Sequence, residues 1–136
     1  MNQTEFLIIG QGISGTFLSW RLHRAGRSFR VIDNGNPHSS SRVAAGIINP
    51  VTGRRIVPTW MIDELLPFAV NAYSDLGADL GISAIEQRNI VDFFPSPQML
   101  LAFTERVKEV PEYLSFPENA DAYQPLFNYD FGYGEI

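Results

Sequence analysis

The stretch from Phe6 to Gly15, FLIIGQGISG, sets three glycines at G-x-G-x-x-G spacing directly behind an apolar run. No other feature limits the fold as strongly, because each glycine has a separate mechanical role in one kind of turn. Gly10 makes the tight reversal, Gly12 brings bare backbone close to a ligand, and Gly15 lets the next helix pack on the strand. Phe6 to Ile9, four apolar residues in a row, predict a parallel strand buried on both faces. Ile13, Phe17, Leu18, Leu22 and Ala25 then recur at helical spacing, with Arg21 and Arg24 on the outer side and Gly26 as a stop. Phe29 to Asp33, FRVID, reads as a second strand that ends in an acid. Strand, glycine turn, helix and strand within about thirty residues make a βαβ unit.

Such a turn suits a dinucleotide. The pyrophosphate faces free N–H groups and the positive end of a helix starting near Ser14. Asp33 is placed to accept hydrogen bonds from a ribose diol, and its charge disfavours the 2′-phosphate of NADP. Local geometry has to supply this attraction, since the net charge of −5 repels phosphate overall and gives no reason to expect nucleic acid or an anionic membrane as partner. The absence of cysteine excludes disulfides, thiolate metal sites and thiol catalysis, and fits a reducing cytoplasm. Two histidines, His23 and His38, make no metal constellation. The N-terminus lacks the basic region of a signal peptide, and Phe6–Ile9 is too short to span a bilayer.

Beyond Asp33, Asn34 to Ser41 is loop by composition. A helix is expected from Thr59, with Met61, Leu65, Phe68, Ala72 and Leu76 on one face, and Pro67 inside it marks either a kink or a new helix. Composition shifts after Gly81. Arg88 to Phe94 reads as a strand, and Ser96-Pro97 opens a helix carrying Leu100, Phe103, Val107 and Val110. Seven aromatics follow from Tyr113, and FGYGEI reads as a strand beginning. The expected division is a nucleotide-binding portion over 1–80 and a second portion over 81–136. Arg54 and Arg55 read as a solvated loop pair ahead of any role in neutralising phosphate. Trp20 and Trp60 read as packing residues and His38 as a loop residue.

The segment SSSRVAAGIINP, Ser39 to Pro50, resembles the stretch that follows the acidic residue in flavoproteins of the D-amino-acid oxidase and glycine oxidase family. With Gly10, Gly12, Gly15 and Asp33, the resemblance covers Glu5 to Pro50, continues weakly through the helix from Thr59, and is only an outline beyond Gly81. It implies an α/β chain: a Rossmann-like FAD/NAD(P)-binding βαβ domain, then the start of an α+β substrate domain. By this resemblance the pyrophosphate contacts fall on the backbone of Gly12, Ile13 and Ser14. The ribose contact falls on Asp33 with Asn34 beside it, loop contacts on Ser40, Ser41 and Arg42, and the flavin-proximal run on Ala44, Ala45, Gly46 and Ile47. Arg42 departs from the small or hydroxyl residue often found there, and either pairs with phosphate or faces solvent. Val43 stands where some relatives tether flavin through histidine, so FAD is expected to be noncovalent.

The implied activity is oxidation of an amine or amino acid by hydride transfer to FAD. No residue of this chain is named as catalytic. Members of the family run to a few hundred residues and complete the cofactor sheet from their C-terminal part, so the chain is expected to be an incomplete portion. The expected partner is a small-molecule amine or amino acid; an oligomer is left open. The alternatives are an NAD-dependent dehydrogenase, favoured if Ser40–Gly46 lies remote from the cofactor, and a non-catalytic nucleotide-binding module. Flavoproteins that tailor tRNA wobble bases share this type of domain, with any tRNA brought by a partner domain.

Overall fold

The structure, a computed structural model, describes residues 3–136. The chain divides into two compact units, Met1–Ile47 and Ile48–Ile136, whereas the composition shifts near residue 80.

In the first unit, strand β1 (Phe6–Ile9) leads through the glycine turn into helix α1 (Ile13–Arg24), which returns to strand β2 (Phe29–Ile32). The two strands pair in parallel, Ile8 beside Val31 and Ile9 beside Ile32. A short helix, α2 (Ser40–Val43), follows. Glu5 pins the strand starts together. Its carboxylate accepts the Ser28 N–H at 2.9 Å and meets the Arg27 guanidinium through both oxygens, and these partners, the Ser28 N–H foremost, hold its pKa below the ordinary glutamate value. Helix α1 stops where Gly26, at φ +65°, donates to the His23 carbonyl while Arg27 donates to that of Leu22. This double closure at a left-handed glycine satisfies two carbonyls of the last turn.

Burial departs from the pattern expected of this unit. Ile8 is 5% exposed but Ile9 is 83%, and Leu7 and Ile32 are exposed as well. Alternate strand residues face opposite sides. A single helix therefore covers only the Ile8 face of a two-stranded sheet, and the strand is not buried on both faces. On α1 the buried residue is Trp20, not Ile13 or Leu18, which are half exposed. The Trp20 ring is closed in by Phe17, edge-on at 5.9 Å, and by the guanidinium groups of Arg21 and Arg24 at 4.7 and 5.4 Å. Arginine stems and forks cover aromatic surface while keeping the charge in water.

The second unit mixes helices with antiparallel strands. β3 (Val51–Thr52) and β4 (Val57–Pro58) form a hairpin, and α3 (Ile62–Leu80) is one continuous helix through Pro67. Its buried residues are Ile62, Ala72 and Gly77, while Leu65 and Phe68 are exposed, so the packed face is rotated from the expected one. The chain doubles back on the helix at Gly77, where a Cβ would lie 2.7 Å from the Ile82 carbonyl oxygen. Asp63 and Glu64 sit in the first turn, where the helix dipole favours them.

β5 (Val91–Phe93) pairs antiparallel with β6 (Tyr133–Glu135), and α4 (Pro97–Glu109) packs behind them. Ser96 Oγ accepts the Met99 N–H and Pro97 opens the helix, the cap-then-proline arrangement that the dipeptide predicts. Val51, Ile56, Phe94, Phe103 and Leu114 form the core. Phe103 is fully buried, and its ring lies so close to β6 that a Cβ on Gly134 would stand 2.1 Å from Cζ. Among the described residues, the parallel pairing is that of a single βαβ unit, and each sheet has two strands. No helix among them is long and apolar enough to cross a membrane.

Because the Phe103 ring has Gly134 backbone on one side and core on the other, Phe103→Ala leaves a cavity that the sheet cannot close. Urea unfolding should report a loss of about 3–5 kcal/mol. Gly134→Ala, which pushes β6 off the ring, should cost about 1–3 kcal/mol by overpacking.

Candidate functional site

The glycine turn is built by two close approaches. Gly10 has φ +91°, and its N–H donates to the Ile32 carbonyl at 2.8 Å, carrying the parallel ladder one residue past β1. A Cβ at Gly15 would stand 2.1 Å from the Gly10 carbonyl oxygen and 3.5 Å from Ile8 Cγ2. The offending atom is backbone and cannot swing away, so the helix reaches the strand only because residue 15 has no side chain. Gly10 and Gly15 thus shape the scaffold.

Gly12 is the N-cap of α1 and has no side chain with which to cap it. The cap comes from across the loop: Ser41 Oγ, carried by α2, accepts the Ile13 N–H at 2.9 Å. The same oxygen lies 3.1 Å from where a Gly12 Cβ would be, so any side chain at residue 12 would press on Ser41. The first N–H to reach a carbonyl four residues back is that of Thr16, which bonds Gly12 at 2.9 Å. The N–H groups of Ser14 and Gly15 therefore belong to the first turn, which has no helical acceptors. No acidic residue lies in that turn, so the positive end of the helix is not neutralised from within.

Asp33 closes the second side. Its Oδ2 accepts the Gln11 N–H at 2.7 Å and its Oδ1 accepts the Gly35 N–H at 2.7 Å. These two bonds, Gln11 first, and the nearby positive charge of Arg42 hold its pKa below the ordinary aspartate value. The carboxylate is exposed, and an ionised carboxylate has about four lone-pair sites, so two remain for hydroxyl donors. Asp33 thus ties the glycine turn to the end of β2 while still able to take a diol. The Gln11 N–H carries no signal in the sequence, because a backbone donor is the same under any side chain.

Of the residues singled out in the sequence, the structure brings together Gly10, Gly12, Ile13, Ser14, Gly15, Asp33 and Ser41, with the Arg42 charge felt at Asp33. Asn34 turns away to its own loop, where its Oδ1 accepts the Asn36 N–H at 3.1 Å. Ser40 opens α2 and binds the Ala44 N–H through its carbonyl. Ala45, Gly46 and Ile47 are exposed, and Gly46 turns the chain at φ +70°. Among the described residues, no group of three His, Cys, Asp or Glu side chains could hold a metal ion. The arrangement can hold a small anion at the start of α1 and hydrogen-bond a hydroxyl pair at Asp33.

A carboxylate whose folded-state pKa is depressed stabilises the fold above its unfolded pKa, and that contribution goes as pH falls through the depressed value. Protection of the Gln11 and Gly35 amides from hydrogen exchange, taken relative to the intrinsic rate at each pH, should therefore be present at neutral pH and fall away as Asp33 is protonated in acid. Asp33→Ala should abolish that protection at every pH while leaving the amides of α4 slow. A search of family models, of curated proteins and of solved structures finds no match to this chain in any of the three.

Proposed function

We propose that the chain is the FAD-binding portion of a flavin-dependent oxidoreductase that oxidises an amine or amino acid by hydride transfer. The observation that carries the reading is the Ser41 contact on the Ile13 N–H, 2.9 Å long, at the mouth of the glycine turn. It brings the segment resembling the flavoprotein family to the helix start that would meet the diphosphate. A nicotinamide enzyme would need only the turn and the acid. In this reading the N–H groups of Ile13 and Ser14 take the diphosphate oxygens, with Ser41 moving from the Ile13 N–H to the ligand. Asp33 takes the adenosine ribose through the lone pairs its backbone partners leave, and the Arg42 charge offsets that of the phosphate.

When bound, the flavin accepts the hydride from the carbon next to the amine nitrogen. This chain's contribution is to bind and orient: a helix start is worth about 0.3–1 kcal/mol per exposed anionic contact, rising to ~2 kcal/mol when partly buried. The Rossmann-like assignment of the first portion and the substrate role of the second belong to the same proposal.

Protein purified from the full reading frame should carry a flavin visible spectrum, with the chromophore released on denaturation, and should bleach with amine or amino-acid substrates. Asp33→Ala should weaken FAD binding about tenfold or more, by removal of charge-assisted hydrogen bonds. A folded protein that neither carries nor takes up FAD overturns the reading. Uptake of NAD in that case would move the assignment to a dehydrogenase, and uptake of nucleotide without turnover to a binding module.

A further inference from the structure

A second charged site lies wholly within the second unit. The β3–β4 turn, Gly53 to Ile56, faces one side of α4, and together they line an open cavity of about 250 Å³ bounded by Arg54, Arg55, Ala102, Glu105, Arg106 and Glu109. Residues 102, 105, 106 and 109 are spaced three and four apart and so share one face of the helix. The turn is held in an unfavourable shape. Ile56, β-branched and in the left-handed region at φ +51°, is only 2% exposed, and its N–H bonds the Gly53 carbonyl at 3.0 Å. Burial of the Ile56 side chain in the core fixes a backbone that a β-branched residue otherwise avoids. That backbone points the two preceding arginines at α4.

The charges do not cancel. Glu109 is engaged by Arg106 through its Nη1, so one carboxylate of the lining is already taken. Among the described residues, Arg54 and Arg55 have neither an ion pair nor a hydrogen bond. Three guanidinium groups against two carboxylates leave one positive charge over. The Nε of Arg106 is buried with no hydrogen-bond partner. A buried donor on a charged group without an acceptor is costly, and structures rarely keep one unless something supplies the acceptor. Guanidinium forks match the oxygen pairs of carboxylates and phosphates.

We propose that this cavity binds a small oxyanion, the carboxylate or phosphate group of a metabolite-sized molecule, through Arg54, Arg55 and Arg106. The site is independent of the nucleotide reading and needs no nucleotide. Glu105, the carboxylate not engaged by Arg106, bars large polyanions and sets the preference for one singly or doubly charged group.

The test is a titration of the full chain with inorganic phosphate and, separately, with malonate, followed through the amide and arginine Nε–H resonances. Saturable shifts are expected at Arg54, Arg55, Ala102 and Arg106, including the Arg106 Nε–H, and they should weaken as sodium chloride is raised. Arg54→Gln with Arg55→Gln, on an exposed turn, should weaken binding about tenfold or more, equivalent to about 1.4 kcal/mol. Arg106→Lys, which keeps the charge but loses the fork, should do the same. Arg88→Gln, outside the cavity lining and paired with Glu86, should change nothing. Saturation by phosphate alone identifies a phosphate-bearing ligand, and by malonate alone a carboxylate. No saturable shift with either anion, or equal shifts in the wild type and the double variant, overturns the proposal. FAD uptake plays no part in these outcomes, so failure here and failure of the flavin reading are separable.

Discussion

The first unit depends on the missing side chain at residue 15. Helix α1 crosses β1 so closely that its backbone at Gly15 faces the Gly10 carbonyl oxygen within the space a Cβ would need. This approach brings the helix start to the end of the strand and, through the Gly10 N–H, keeps β1 and β2 in ladder one step further. Any side chain there would lift the helix, and the Ser41 cap on Ile13 and the Asp33 bond to Gln11 would lose their reach. The second unit uses the same device on another element: Gly134 leaves β6 flat where the Phe103 ring seats. In both places a glycine is defined by what packs against it, and not by freedom of its own backbone.

A consequence is that the groups best suited to a ligand are already at work in the scaffold. Asp33 spends one lone pair of each oxygen on backbone N–H groups, and Ser41 caps a helix whose own N-cap residue has no side chain. Such bonds preorganise the site, since they hold the donors and acceptors in place before any ligand arrives. They also stand in for part of it: the Ser41 oxygen occupies a donor that an anion would otherwise take. Hydrogen-bond exchange of this kind costs little when the newcomer brings charge, because charge-assisted bonds are the stronger ones.

Electrostatics in this chain is local. With a net charge of −5, the molecule attracts anions only where geometry concentrates positive potential. It does so by two different means. In the first unit the source is backbone, the unneutralised start of α1. In the second it is side chains, two arginines on a strained turn set opposite a third on one face of α4. Elsewhere, cationic groups are used for packing, as where Arg21 and Arg24 roof the Trp20 ring.

What the sequence determined by itself was whatever depends on near neighbours. The glycine spacing, the apolar runs and the Ser96-Pro97 opening each act through contacts within a turn or two, and β1, α1, β2 and α4 stand where those signals place them. The faces did not follow in the same way. Trp20 in place of Ile13 and Leu18, the rotated packing of α3, and the open side of β1 at Leu7 and Ile9 depend on which partner each element meets, and period alone does not name the partner. The candidate site divides along the same line. Glycines and an acid at set spacing could be read from the chain, but the Asp33 bond to a backbone N–H 22 residues away and the Ser41 cap 28 residues away could not. Arg54 and Arg55 are exposed, as a solvated loop pair is, but only the fold sets α4 and Arg106 opposite them. Local sterics are written in adjacent residues, whereas cap, clamp and cavity exist only once distant segments have been brought within hydrogen-bond reach.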